Sequence, residues 1–416
     1  LGPDLARRCG WPVIGSAPIP QDLDPEGHDE QRAGHVSATI TLIVASLATL
    51  GVVLVYSSTS LGIAFDGTDA ARYLRRQLLW VALATGVFVL ARTANLNWLR
   101  RHSHWALGGG LLLLVAVLIP GVGTKINGAR RWLRMAGFNC QPSELAKLAL
   151  ILYVATWCSG SKGRLKTLSG ILPILGVIGL TAGLIAVEPD MGTALLVSCV
   201  SVVMLLSAGA KLRHLFVIGT PGALILFCFA FTKLDYIWRR IGAFMDPNSD
   251  PSGAGFQTRQ ALIALGSGGP FGAGLGASAQ KRLFLPEVHT DYIFALVGEE
   301  LGFVGAIAVL IAYAALILYG LKAIDRARDS FAFLLAVGIV TLLGVQSILN
   351  IAVATGSVPP KGIALPFLSF GGSSLLAAAA AAGLLASVAA DGLSPNRPLL
   401  RSTETDLDEV LVETPR

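Results

Sequence analysis

Ten stretches of this chain are apolar over roughly the 20 residues that an α-helix needs to cross a hydrocarbon core. They fall at residues 36–58, 78–94, 104–121, 141–158, 168–187, 191–208, 212–232, 296–320, 330–354 and 373–390. In lipid every backbone N–H and C=O has to be paired inside the segment, so runs of this length fold as helices. The expected fold is an all-α polytopic membrane protein of ten transmembrane helices, with a large extracytoplasmic loop, residues 233–289, between the seventh and eighth. Composition agrees: 53% of the residues are hydrophobic and only 14% charged, against about a quarter charged in soluble domains. That balance excludes disorder and a disulfide scaffold. Of five cysteines, Cys140, Cys158, Cys199 and Cys228 lie in or beside apolar runs, where packing is the expected role.

An even number of spans puts both ends on one side. Basic residues follow the second, fourth, sixth and eighth spans, for example Arg100 and Arg101, Arg164 and Lys166, Lys211 and Arg213, and Arg326 and Arg328. The positive-inside rule then makes both tails, residues 1–35 and 391–416, cytoplasmic extensions. The amino end reads as a polar tail rather than a signal peptide. The opposite side is nevertheless rich in cations. Arg72, Arg75 and Arg76 precede the second span, Lys125, Arg130, Arg131 and Arg134 sit between the third and fourth, and Arg259 and Lys281 lie in the long loop. Contact with lipid headgroups and contact with an anionic ligand both satisfy this pattern. The formal net charge of +6 is too modest to argue for nucleic acid.

Ionisable residues at or inside spans are costly and mark candidate chemistry. Gln141-Pro142-Ser143-Glu144-Leu145-Ala146-Lys147 opens the fourth span, with Glu144 and Lys147 on one helix face. An intrahelical ion pair and a ligand site both fit. Glu188-Pro189-Asp190-Met191-Gly192-Thr193 is a turn between spans, where the two acids suit either cation or sugar binding, or an N-cap by Asp190. His289-Thr290-Asp291 enters the eighth span, ahead of Glu299 and Glu300. An Asp there serves the helix dipole, but at a membrane surface beside basic residues it is also the best single candidate for a general base. His289 alone is more often a structural donor. Finally, Pro359 to Ser374, with Lys361 as its lone cation and Ser369 within it, describes a re-entrant or interfacial segment.

Other chemistries are excluded. The run Gly266 to Gly276 lacks the Lys-Ser/Thr ending of a P-loop. Six histidines include no His-Glu-x-x-His pair, and there is no Gly-x-Ser-x-Gly elbow. The buried-charge pattern also admits a lipid transporter or a scaffold, although a transporter calls for charges near the bilayer midplane and these acids gather at span ends.

In order along the chain stand Asn127-Gly128-Ala129-Arg130-Arg131-Trp132-Leu133, Gln141-Pro142-Ser143-Glu144 with Lys147, Glu188-Pro189-Asp190-Met191-Gly192-Thr193, and Asp246-Pro247 through Asp250-Pro251. Gly266-Ser267-Gly268-Gly269, Gln280-Lys281 with Leu285-Pro286-Glu287, His289-Thr290-Asp291, and Leu365 to Ser374 follow. Together they resemble the SEDS proteins (shape, elongation, division and sporulation), the group of FtsW, RodA and SpoVE, over residues 36–390. Gly298-Glu299-Glu300-Leu301-Gly302 and Pro360-Lys361-Gly362 are more similar to the division-type FtsW branch than to RodA. Phe370 stands where the family usually has Tyr, and Tyr292 where it usually has Phe.

The resemblance implies a peptidoglycan glycosyltransferase that polymerises lipid II into β-1,4-linked glycan at the outer face of the bacterial cytoplasmic membrane during cell division. A lipid II flippase or a RodA-type elongation polymerase are the alternatives. Implied partners are lipid II, undecaprenyl-diphosphate-linked glycan, a class B penicillin-binding protein, other division proteins of the membrane, and membrane lipid, but no nucleic acid. Asp291 is implied as the essential acid of an extracytoplasmic cavity. The implied substrate-binding set is Glu144, Lys147, Arg130, Arg131, Trp132, Arg259, Lys281, His289, Lys361 and Ser369, with Glu188 and Asp190 as acidic or structural members. Leaving-group charge would be met by these cations, alone or with Mg or Mn.

Overall fold

The computed structural model describes residues 25–60, 70–126, 129–135, 138–160, 163–215, 217, 241–242, 244–246, 254–277 and 290–391. Helices α1 (Pro25–Ser60), α2 (Ala70–Arg92) and α3 (Leu96–Leu118) lead into a three-stranded antiparallel sheet of β1 (Gly123–Ile126), β2 (Ala129–Met135) and β3 (Phe138–Cys140), in the order β1-β2-β3. There follow α4 (Pro142–Ser159), α5 (Leu168–Val187), α6 (Met191–Ser207), α7 (Ala254–Ser267), α8 (Ile293–Asp325), α9 (Ser330–Ala354) and α10 (Gly372–Asp391).

Among the described residues six helical segments are long and apolar enough to cross a bilayer: Gly34–Ser58, Leu74–Arg92, Leu168–Val187, Ile293–Asp325, Ser330–Ala354 and Gly372–Asp391. The chain is thus a mostly helical, multi-pass membrane protein. Each expected stretch coincides with a helix except 212–232, most of which lies outside the described residues. Two elements depart from the expected layout. The connection after α3 is a small sheet in a chain expected to be all-α, and the long stretch 233–289 contains the helix α7.

Local chemistry sets the helix ends. Asn95 caps α3 by accepting the Asn97 and Trp98 N–H groups at 2.9 and 3.2 Å. Asp329 caps α9 through Ala332 N at 2.8 Å, and Asp190 caps α6 through Thr193 N at 3.2 Å. Of the six candidate spans among the described residues, α9 and α10 are the most enclosed. The alanine-rich face of α10 lets α2 approach closely: a Cβ at Gly383 would stand 2.5 Å from the Phe88 carbonyl oxygen. Small residues serve such contacts where water gives no hydrophobic drive between helices.

The helix α8 is broken at Gly302, whose φ of 70° and ψ of −167° are open to glycine and costly for other residues. The break frees backbone groups that a membrane interior cannot hydrate. The glycine-rich segment after α7 takes them up. Phe303 N donates to Gly269 O at 2.9 Å and Val304 N to Pro270 O at 3.1 Å. In return Ala273 N and Gly274 N donate to the carbonyls of Glu299 and Glu300 at 2.9 and 3.1 Å. A Cβ at Gly302 would lie 2.2 Å from Gly272 N, so the two segments meet as bare backbone. Beside the break, the buried Glu300 carboxylate accepts the Ser57 hydroxyl at 2.7 Å, and Ser57 Oγ accepts Gly276 N–H at 3.0 Å. The run Gly266 to Gly276 therefore splices a discontinuous helix.

Candidate active site

The four motif-bearing segments meet at one end of the bundle, on the loop between α9 and α10. At the start of α4, Pro142 occupies the first helical turn, where its missing N–H costs nothing, and Glu144 follows within the same turn. Lys147 sits one turn on, and its Nζ lies 2.9 Å from Glu144 Oε1, with both residues buried. Lys147 Nζ is also 3.5 Å from Gln346 Oε1 on α9, and Gln346 Nε2 donates to Ala364 O at 2.9 Å. The pair thus exists as an intrahelical ion pair and is tied to the loop at the same time.

Asp291 precedes the first residue of α8. Its carboxylate lies against the loop backbone, since a Cβ at Gly362 would be 2.8 Å from Asp291 Oδ2. Its own carbonyl accepts from Asn350 Nδ2 at 3.0 Å, and the same nitrogen donates to Ile363 O at 2.7 Å. Ser369 Oγ accepts Leu365 N–H at 2.8 Å and donates to Thr290 O at 2.6 Å. Tyr313 of α8 donates its hydroxyl to Pro366 O. Ser369 ties the loop to Thr290, and Asn350 ties both Asp291 and the loop to α9.

The turn between α5 and α6 reaches the loop from another side. A Cβ at Gly192 would meet Lys361 Cδ at 3.3 Å and Ile363 Cδ1 at 3.5 Å. Asp190 also accepts the Thr193 hydroxyl at 2.9 Å and lies 3.4 Å from Gln141 Nε2, which joins this turn to the start of α4. Gln141 N donates to Ser373 Oγ at the head of α10 at 3.3 Å.

The β-sheet packs beside this turn. Strand alternation puts Arg131 on the face of the buried Leu133, and Arg130 with Trp132 on the other. Arg131 Nε donates to Glu188 O at 2.9 Å, and its terminal nitrogen donates to Pro189 O. This guanidinium therefore braces the turn. Arg259 is half-buried on α7, 5.9 Å from the Phe256 ring centroid, and α7 packs through Ala261 and Ala264 against Tyr292 and Ala295, next to Asp291. Lys281 and His289 lie outside the described residues.

Glu188 is the odd member. It is buried, and neither carboxylate oxygen has a hydrogen-bond partner among the described residues. Burial first, then the neighbouring Asp190 charge, push its pKa from 4.5 up to about 8, against a smaller opposing pull from Arg131. Because the folded value is raised, the stabilisation is complete below the unfolded value and is lost as pH rises through about 8. Glu188→Gln, a neutral isostere, is expected to remove this component. Its thermal midpoint should exceed that of the unsubstituted protein at about pH 8.5 and fall less between about pH 5 and 8.5. Equal pH slopes for the two proteins in a thermal-unfolding series would show that Glu188 does not hold the proton.

The residues not anticipated from sequence are Gln346 and Asn350, carboxamides within an apolar run. Two amides one turn apart were the available signal.

This arrangement has counterparts. The model of the FtsW/RodA/SpoVE cell cycle proteins matches residues 37–392. The chain belongs to this family. Its SEDS relatives include the probable peptidoglycan glycosyltransferase FtsW of Trichlorobacter lovleyi, 41% identical over 362 residues that cover 86% of this chain and 94% of the relative. The stage V sporulation protein E of Bacillus subtilis is 37% identical over 351 residues, covering 84% and 95%. Among solved structures, Thermus thermophilus RodA superposes with a TM-score of 0.62 at 30% identity, over 85% of this chain and 96% of that one. A chain from a structure described as the coordination of polymerization and crosslinking by a peptidoglycan synthase complex gives 0.69 at 30% identity, over 85% and 97%. The relatives named FtsW align this SEDS chain with the division-type branch.

Proposed function

We propose that this chain is a peptidoglycan glycosyltransferase that polymerises lipid II at the outer face of the cytoplasmic membrane, in the manner of the FtsW proteins it resembles. The observation that carries the reading is that the loop bearing the cation Lys361 holds the carboxylate of Asp291 against Gly362 and is tied to the buried Lys147 through Gln346. These contacts gather at the amino ends of α4, α6, α8 and α10, so the polar groups face one side of the bundle. A transporter would need them reachable from both sides.

The donor is a glycan α-linked to undecaprenyl diphosphate, and the acceptor is the 4-hydroxyl of the GlcNAc of another lipid II. A β-1,4 product demands inversion and hence a single displacement. The acceptor oxygen forms its bond to the anomeric carbon as the bond from that carbon to the diphosphate oxygen breaks, and the electron pair leaves with the diphosphate. Asp291 takes the acceptor proton. Lys147, Lys361 and Arg130 offset the charge that develops on the leaving group, while Arg131 is engaged by the turn carbonyls. Among the described residues no group of three or more His, Cys, Asp or Glu side chains gathers as a metal site, and no step here runs through a divalent cation.

The same reading places ten spans with both termini in the cytoplasm, residues 233–289 shaping the substrate groove, and a class B penicillin-binding protein as the crosslinking partner. The test is incubation of the purified chain and that partner with fluorescent lipid II. A ladder of glycan strands is expected. Movement of lipid II across proteoliposome membranes without polymer would overturn the polymerase reading in favour of a flippase.

A further inference from the structure

Asp291 and Lys147 come from helices far apart in sequence, yet the chemistry above needs their side chains held at one spacing. No described hydrogen bond or ion pair joins them directly. What they share is α9, through two carboxamides four residues apart and therefore on one helix face. Gln346 and Asn350 are both buried. Gln346 spans from Lys147 Nζ to Ala364 O, and Asn350 spans from Asp291 O to Ile363 O. Their loop anchors are thus adjacent residues, and Gly362, against which the Asp291 carboxylate lies, is the next one along.

Burying an amide inside an apolar membrane helix is costly unless its polar atoms are used. Helix α9 needs neither residue for its own hydrogen bonds. Asn350 spends its Nδ2 on two carbonyls, Asp291 O and Ile363 O, neither of them in α9. The nearby Ser347 makes the contrast: among the described residues its hydroxyl bonds only Leu343 O of the same helix, at 2.7 Å.

We infer that Gln346 and Asn350 are positioning residues, a two-point gauge on α9 that fixes Asp291 relative to Lys147 by clamping residues 362–364 between them. The inference rests on the reading of Asp291 as the general base. Neither amide touches the reacting atoms. Each acts through the residue it holds, and a misplacement of about 1 Å at a reacting group can cost about a hundredfold in rate.

The test uses the full chain with its transpeptidase partner, lipid II as substrate, and rates normalised to folded protein by size-exclusion chromatography. Asn350→Ser, too short to reach both carbonyls, is expected to lower kcat about tenfold or more while KM stays within about twofold. Gln346→Met, which keeps the volume and removes the amide, is expected to lower kcat in the same direction. Ser347→Ala is expected to keep the unsubstituted rate. A purely structural role would reduce the folded fraction but leave the acidic limb of the kcat–pH profile in place. The gauge instead predicts that the limb moves in Asn350→Ser, because the Asp291 carboxylate is no longer held against Gly362. An unmoved limb, or a kcat per folded molecule within about twofold of the unsubstituted protein in both variants, overturns the inference. Asp291→Asn is run in parallel. If it is inactive while both α9 variants are fully active, the gauge alone fails; if it polymerises normally, the base assignment fails and the gauge with it.

Discussion

Asp291→Asn is expected to abolish glycan polymerisation while leaving the protein folded. General-base catalysis is worth about 10²–10⁴-fold in rate, and an amide of the same shape has no basic oxygen to take the acceptor proton. The hydrogen bonds that hold this corner through backbone atoms do not depend on the carboxylate. Asn350 binds the Asp291 carbonyl and Ser369 binds the Thr290 carbonyl, and both bonds survive the substitution. Gly362→Ala tests the same point by geometry. Its new methyl would stand 2.8 Å from Asp291 Oδ2, so the carboxylate has to turn aside to admit it. Turning it displaces the base, so activity should fall while the protein stays folded. Polymer gels beside thermal unfolding of both variants make the check, and full activity in Asp291→Asn would remove Asp291 from the mechanism.

Much of this site is legible in the chain because charge is conspicuous in an apolar sequence. Glu144, Lys147, Glu188, Asp190 and Asp291 each interrupt or bound an apolar run; Asp291 lies against Gly362, the Glu144–Lys147 pair is tied to Ala364 through Gln346, and Glu188 and Asp190 stand in the turn whose Gly192 packs on Lys361 and Ile363. Uncharged members are harder to see. Gln346 and Asn350 sit inside the run 330–354, where two amides barely alter its apolar character, and their meaning depends on partners at residues 147, 291, 363 and 364 that no local pattern connects. The glycine-rich run 266–276 illustrates another limit. Its composition excludes a P-loop, but its actual partner is the break at Gly302, and that backbone pairing leaves no side-chain signature. The sheet of residues 123–140 escapes for a different reason. Arg130, Arg131 and Arg134 make β2 read as a basic loop, although Leu133 turns inward and Arg131 is used on carbonyl groups. Helix α7 is likewise concealed in a long polar connection, its inner face built of the small residues Ala261 and Ala264.

Lys147→Met is expected to show a double loss, and its two parts separate by one further substitution. The ammonium group and the Glu144 carboxylate are both nearly removed from solvent, 3% and 10% exposed in their side chains. Removing one partner of such a pair leaves a buried uncompensated charge and typically costs about 3–5 kcal/mol, which should appear as a marked fall in the thermal midpoint. Adding Glu144→Gln removes the orphaned charge, and the double variant should recover most of that stability, since replacing a buried pair with neutral groups of similar volume is often neutral. Polymerisation should not recover with it. If Lys147 stabilises the departing diphosphate, its loss costs turnover by about 10²–10³-fold whatever the state of Glu144. A double variant that regains both stability and turnover would instead make the pair structural, leaving Lys361 and Arg130 as the cations that meet the leaving group. Glu144→Gln alone sharpens the distinction. It strands the lysine charge in turn, so its midpoint should also fall, but per folded molecule a leaving-group role predicts substantial retained turnover, whereas an ion pair serving only the fold predicts that both single variants fail alike.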